Sequence, residues 1–323
     1  MITLAFINFW KDPENDTYFT DFISTNIGQV KVVHYNDNPN ILIASVCGNI
    51  NIIQNSKAQC KLFYYGENLN RFPPYNNDNL LERTFDLIVG FKYANLDKKL
   101  LRFPLWLMYY DYYTTEINNI DNKDNKDNKD NKDNIPINNI LTYIESKYKE
   151  NIKKNKTIFA TIVARHDREG QRTKICNALS KYEKTYKNTN GKIMYSGEFR
   201  NNTNRIGLSC KDKISYISQC IYNICPENSV YEGYFTEKIF QAFEGGTIPI
   251  YWAIDLPEKD IINENKYCFC NINNGKEMED SIENVMIHPD TYLEGNIFKE
   301  NAGHIIQRYY NDLRDNIKNK LGL

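Results

Sequence analysis

The chain of 323 residues lacks any run of about 18 consecutive apolar residues, the length a helix needs to span a bilayer. Its first apolar segment, Ile2 to Trp10, meets Lys11-Asp12-Pro13 directly and lacks the basic start and small-residue cleavage site of a signal peptide. The expectation is a soluble, cytoplasmic protein. An excess of charge of either sign is also missing, with 40 Lys plus Arg against 41 Asp plus Glu. Nucleic-acid binding runs on phosphate neutralisation, so a nucleic-acid partner is not expected. No Gly-x-Gly-x-x-Gly and no P-loop pattern occurs, which removes the usual support for dinucleotide redox chemistry and ATP hydrolysis. The eight cysteines form no Cys-x-x-Cys pair, and Cys268-x-Cys270 without a neighbouring His is too little for zinc. They are expected to be reduced, structural thiols, and no metal site is expected.

What is present suffices for a folded protein. Hydrophobic residues make up 41% and aromatic residues 13%, enough to bury a sizeable core, and the length suits two domains better than one. The 45 asparagines, with abundant Lys, Ile and Tyr, have the look of an AT-rich genome, so single Asn residues carry little functional weight. Residues 121–134 write Asp-Asn-Lys four times and close on Asp-Asn. With no apolar residue to offset ordering entropy, this stretch is expected to be a mobile solvated loop, either a tolerated repeat or a spacer or partner contact.

Short apolar runs at Ile2–Trp10, Lys31–Tyr35, Ile41–Val46, Lys61–Tyr65 and Phe85–Phe91 read as strands. Helical spacing of Ile137, Leu141, Ile144 and Tyr148 predicts a helix over 135–152. Strands then follow at 157–164, 192–195, 221–225, 248–252 and 268–272, with helices at 171–182, 211–219 and 236–243. The stretch 294–321 reads as one or two long helices. Repeated strand–helix alternation means parallel sheets covered on both faces. The expected fold class is α/β, divided into an N-terminal domain (1–150), a C-terminal domain (151–295) and terminal helices (296–323), with a cleft between the two halves. Ligands in such sheets gather at the carboxyl ends of strands.

Three such strand ends carry chemistry. Cys225-Pro226-Glu227-Asn228 leads through Gly233 to Thr236-Glu237-Lys238, where a helix begins. Free N–H groups at that end suit a diphosphate and Lys238 adds a full charge, although the same spacing also fits a solvated Glu-Lys pair with Thr236 as N-cap. Arg165-His166-Asp167-Arg168, followed by Arg172, leaves another strand; guanidinium forks match phosphate oxygens, and the same charge run also fits a solvated loop. At Phe63-Tyr64-Tyr65-Gly66-Glu67-Asn68 a carboxylate stands at a strand end, where Glu67 is either a general base or merely solvated. There is no strict Asp-x-Asp, so a leaving diphosphate would have to be met by side-chain cations and backbone donors.

The combination of Glu227-Asn228, then Tyr234-Phe235-Thr236-Glu237-Lys238-Ile239, then Gly246-Thr247-Ile248-Pro249-Ile250-Tyr251-Trp252 resembles the signature of the α-1,3/4-fucosyltransferases (glycosyltransferase family 10), especially the soluble bacterial type. Phe63 to Asn68, Phe85-Asp86 with Gly90-Phe91, Leu101 to Leu105 and Lys213 to Gln219 also match. The similarity runs over roughly residues 60 to 255. It implies the GT-B architecture, two Rossmann-like domains facing a cleft, with acceptor on the N-terminal side and GDP-sugar on the C-terminal side. It further implies inverting transfer of L-fucose from GDP-fucose to an acceptor glycan hydroxyl, α-1,3 to GlcNAc or Glc of a lactose or N-acetyllactosamine type acceptor. The alternatives are another linkage, another nucleotide-deoxysugar donor, or a non-catalytic glycan-binding relative.

By family position Glu67 is the general base and Glu237 a carboxylate near the fucose. Arg172 and Lys238 meet the diphosphate, Asn228 and Tyr234 contact the donor, Glu227 supports them, and Arg165 joins the donor side. No obligatory cofactor is expected, and stimulation by Mn²⁺ or Mg²⁺ pairing with the diphosphate is compatible with this reading. The chain departs from the family pattern at Arg165-His166 (usually Ser-Asn), at Pro226 (usually Phe) and at Ala253 (usually Gly). The first adds positive charge beside the expected diphosphate, and Pro226 removes one backbone donor.

Overall fold

The computed structural model describes residues 1–9, 18–95, 99–110, 138–186, 188–204, 206 and 210–323. The Asp-Asn-Lys repeat, on which a mobile loop was expected, lies outside the described residues.

Six strands, β1 (Ile2–Ile7), β2 (Val30–Val32), β3 (Ile41–Ala44), β4 (Cys60–Tyr64), β5 (Leu87–Gly90) and β6 (Leu100–Arg102), form one sheet in the order β2-β1-β3-β4-β5-β6. Five more, β7 (Ile158–Ile162), β8 (Ile193–Tyr195), β9 (Cys220–Ile224), β10 (Ile248–Tyr251) and β11 (Cys268–Phe269), form a second in the order β11-β10-β9-β7-β8. Every pairing in both is parallel. The reason is legible in composition. Ile41–Ala44, Leu87–Gly90 and Ile248–Tyr251 are apolar without alternation and buried at every position, as strands covered on both faces must be.

Read from β8, the second sheet repeats the strand permutation of the first. In each sheet the chain reverses its direction of travel between the first and third strands: β1 and β3 in one, β7 and β9 in the other. At such a switch point the following segments diverge to opposite faces and leave room beyond the carboxyl ends of the two strands.

Contacts divide the chain into one unit of Met1–Ile137, Tyr231–Tyr234 and His304–Leu323, and another of Asn138–Val230 and Phe235–Gly303. The helix Asn138–Asn151, which the sequence reading put in the first half, thus belongs to the second, where Ile140, Ile144 and Tyr148 are buried. The helix Ala302–Leu321 belongs to the first: Tyr310 packs edge-on against Phe103 at 5.0 Å, and the amide of Gln59 donates to the Leu321 carbonyl.

Four elements differ from the sequence reading. Residues 294–301 are not helical; Ile262 bridges Phe298 antiparallel, and Glu145 accepts from the Ile297 amide instead. Helices Gly275–Ile287 and Pro289–Leu293 stand where none was expected, the first capped by the Asn274 side chain. Strand β6 is only three residues long and ends in a buried arginine, Arg102, whose guanidinium donates to the Phe91 carbonyl. Among the described residues no helix is long and apolar enough to cross a membrane.

Candidate active site

The β7/β9 switch point lies in the second unit. Beyond Ile162 and Ile224 it holds a narrow cavity of about 30 Å³, into which Arg172, Lys213 and Lys238 all face. Three elements supply these cations: the helix Gln171–Ser180, the helix Cys210–Ile217 and the helix Lys238–Glu244. Among the described residues the lining has no carboxylate.

Arg172 is fixed by its surroundings. Asp167 caps its helix, accepting from the Arg172 amide at 3.0 Å and the Thr173 amide at 2.9 Å. Burial pushes the Asp167 carboxyl up, but the hydrogen bonds from Thr173 and the Arg172 amide, with the Arg172 charge, outweigh it and hold the group below the usual carboxylate range. The Arg172 guanidinium donates to Asn228 Oδ1 at 2.9 Å. Asn228 is therefore oriented by a cation, and its carbonyl accepts from Gln171 Nε2.

Glu227 has no exposed surface and organises the turn after β9. Its carboxylate accepts from the Thr236 amide (2.8 Å), the Thr236 hydroxyl (2.8 and 3.0 Å), the Tyr251 hydroxyl (2.7 Å) and the Lys238 ammonium (2.9 Å). A buried charge needs this many partners to offset its desolvation. Burial, and then the Glu227 charge, drive the Tyr251 hydroxyl well above its ordinary pKa. Two sequence readings change here. Thr236 is not the N-cap of the helix, which begins at Lys238, because its hydroxyl is taken by Glu227. The cation pairs with Glu227 rather than with its chain neighbour Glu237, which occupies the cap position and is half-buried.

Pro226 fits because of the ladder. The amides of Cys225 and Glu227 donate to Ile250 and Trp252 on the β10 side, so the donor that proline lacks would point to the opposite side, toward the cavity it lines.

Arg165 stands apart from this cluster. Its side chain is 81% exposed and pairs with Glu198 at 3.4 Å. Lys213, conversely, was not singled out as a cation by sequence reasoning. It bonds Gln241 Oε1 at 2.5 Å and lines the cavity because the helix Cys210–Ile217 leads directly into β9. A lysine a few residues ahead of an apolar strand is too common a pattern to have marked it.

Glu67 lies in the first unit, just beyond β4, with its side chain 30% exposed. The Tyr234 hydroxyl donates to its Oε2 at 3.3 Å, and Arg71 stands 3.9 Å from the same oxygen. Tyr234 is buried against Phe91 at 4.7 Å. Its position depends on Gly233, at φ +67°, where a Cβ would come within 2.4 Å of the Phe91 carbonyl oxygen. Cys47 is exposed; partial burial and then the Glu67 charge raise its thiol pKa. The other six described cysteines are free and buried. Among the described residues no three His, Cys, Asp or Glu side chains gather as a metal site.

Residues 4–109 match the N-terminal domain of α-(1,3)-fucosyltransferase FucT, and residues 152–296 match the C-terminal part of glycosyltransferase family 10, the fucosyltransferases. The chain belongs to glycosyltransferase family 10. It is 28% identical over 310 residues to the α-(1,3)-fucosyltransferase FucT of Helicobacter pylori, an alignment that takes in 91% of the chain. The chain spans 59% of the length of that relative. Among solved structures, an α1,3-fucosyltransferase superposes with a TM-score of 0.67 at 23% identity, over 97% of this chain and 90% of the other. An α1,3-fucosyltransferase with GDP-fucose gives 0.64 at the same identity and coverage. The fold of this family 10 chain is GT-B, two α/β units each built on a parallel sheet.

Proposed function

We propose that this family 10 chain transfers L-fucose from GDP-fucose to a hydroxyl of an acceptor glycan, with inversion at the anomeric carbon. The observation that carries the reading is the switch-point cavity after β7 and β9. Three cations from three helices face it with no carboxylate in the lining, which is the complement of a diphosphate that gains charge as it leaves.

In this reading Arg172, Lys213 and Lys238 neutralise the departing GDP. Asn228, oriented by Arg172, and Tyr234 contact the donor, while Glu227 holds Lys238 in place. Glu237 interacts with the fucose, accepting from its hydroxyls or stabilising positive charge on the ring. Arg165 adds only a distant, solvent-screened field. Glu67 removes the proton of the acceptor hydroxyl; the freed oxygen attacks the anomeric carbon on the face opposite GDP, and the bond from that carbon to the phosphate oxygen breaks. The Tyr234 hydroxyl and Arg71 orient the Glu67 side chain for that step. Mn²⁺ or Mg²⁺ can stimulate by pairing with the diphosphate, without being obligatory. The acceptor proposed is of the lactose or N-acetyllactosamine type, fucosylated α-1,3 on Glc or GlcNAc.

The test is incubation with GDP-fucose and with other nucleotide-deoxysugars against lactose and N-acetyllactosamine, following GDP release and reading the new linkage by NMR. Acceptor-dependent GDP release with GDP-fucose and an α-1,3 product are expected. Turnover with another deoxysugar donor in preference to GDP-fucose, or glycan binding with no nucleotide release from any donor, would overturn the reading.

A further inference from the structure

The first unit contains a cavity of about 200 Å³ that the chemistry above does not use. Its floor is apolar, made by Leu69, Leu81 and Ile88, and its rim is polar, with Glu82, Asn95 and Glu232 among the groups facing it. The Tyr93 ring, 40% exposed, stands at the same rim. Asp78, also at the rim, is neutralised by Lys92 at 2.9 Å, so Glu82 and Glu232 leave the opening acidic. An apolar floor under a ring of hydrogen-bond acceptors fits a pyranose: one face of the ring presents C–H groups, and the edge presents hydroxyls that donate to carboxylates and amides.

The cavity is tied to the candidate base by two chain segments. Tyr65 and Glu232 line it; Glu67 and Tyr234, each two residues further along, form the 3.3 Å pair. Two residues of extended chain span at most about 7 Å between Cα atoms, so the backbone at Tyr65 and Glu232 lies within that reach of the backbone carrying Glu67 and Tyr234. Tyr231 strengthens the second tie, with the Lys92 ammonium 5.5 Å from its ring centroid.

We infer that this cavity is a subsite for a further monosaccharide unit of the acceptor, neutral or amino rather than acidic, adjoining the unit whose hydroxyl is activated by Glu67. The inference rests on the fucosyl-transfer reading for its position in the reaction, and it excludes sialylated or uronic units, which the rim carboxylates repel.

The test compares N-acetyllactosamine with its linear tetrasaccharide dimer, using the wild type and the exposed rim variants Glu232→Gln and Asn95→Ala. Without any donor, amide shifts at Tyr93 and Asn95 should move with the tetrasaccharide and much less with the disaccharide. With GDP-fucose, each variant should raise KM for the tetrasaccharide about fivefold, the equivalent of one hydrogen bond, while KM for the disaccharide and for GDP-fucose stays unchanged. A sialylated tetrasaccharide should bind more weakly than the neutral one. Equal effects on both acceptors, or no shift at the rim, would overturn the subsite. Rim shifts in a protein that transfers to no acceptor would sink the fucosyl-transfer reading and leave the subsite standing.

Discussion

The ammonium of Lys238 lies 2.9 Å from Oε2 of Glu227, a carboxylate with no exposed surface, while the lysine side chain keeps some solvent contact. One cation thus has two tasks, balancing a buried charge and facing the cavity beyond β7 and β9.

Lys213 shares the cavity but bonds the neutral Gln241 side chain rather than a buried carboxylate, and the two lysines should separate on substitution. Lys238→Met leaves Glu227 buried with only Thr236 and Tyr251 and should cost about 3 kcal/mol of stability along with GDP affinity. Lys213→Met should cost less stability than Lys238→Met, about 1 kcal/mol for the hydrogen bond lost to Gln241, and weaken GDP binding about tenfold, the equivalent of about 1.4 kcal/mol. Calorimetric titration with GDP, paired with thermal unfolding of both variants, checks this. Equal melting losses would assign Lys213 a purely structural role.

Glu67→Gln keeps the shape of the side chain and removes its basicity. Transfer should fall by about 10² to 10⁴, the range for a lost general base, with GDP affinity retained. Tyr234→Phe removes only the 3.3 Å hydrogen bond and should cost severalfold in kcat. Single-turnover rates under saturating GDP-fucose measure both, and full turnover by the Gln variant would remove Glu67 from the base role.

Gly233→Ala tests how strictly the turn before Tyr234 is set. The positive φ and the 2.4 Å approach to a backbone oxygen leave no room for a methyl group. The variant should lose about 1 to 3 kcal/mol in denaturant unfolding and lose activity by displacing Tyr234. Stability and rate equal to the wild type would show that the turn adapts.

The response to alkali has a definite sign at Lys266. Its ammonium donates to the Tyr148 hydroxyl and to the Glu294 and Gly295 carbonyls, and burial pulls its pKa down to about 8 against the partial opposition of Glu145 and Glu294. The unfolded chain, titrating near 10.4, binds more protons than the folded one between about pH 8 and 10, so this group makes stability rise with pH across that window. The rise should be shallower than the about 1.4 kcal/mol per pH unit of one fully coupled proton. Urea unfolding of the wild type and Lys266→Met from pH 7.5 to 9.5 should show a steeper upward component in the wild type than in the variant, where Lys156, which burial also pulls down to about 8, still contributes; parallel curves would exclude a contribution from Lys266.

Much of the fold was readable because continuous apolar runs such as Ile41–Ala44 and Ile248–Tyr251 have few structural solutions other than covered parallel strands. Leu100–Arg102 was not, since three residues ending in arginine carry no such signal, and the burial of Arg102 depends on the Phe91 carbonyl. The same limit governs the candidate site. Spacing marked Glu227, Asn228 and Lys238, but the partner of Lys238 and the company of Lys213 are set by tertiary packing. Charge alone also grouped Arg165 with Arg172, whereas the chain turns one outward to Glu198 and the other inward to Asn228.

Neither unit is a continuous stretch of chain, because Tyr231–Tyr234 and His304–Leu323 are counted with Met1–Ile137. A hybrid that exchanged one unit for that of another enzyme would therefore need four junctions, at 137/138, 230/231, 234/235 and 303/304. A single crossover at midchain would leave Glu67 facing a foreign tyrosine loop and Phe103 under a foreign terminal helix. Recombination between relatives of this chain should accordingly keep the Glu67–Tyr234 and Phe103–Tyr310 contacts native only where the crossovers fall at those junctions.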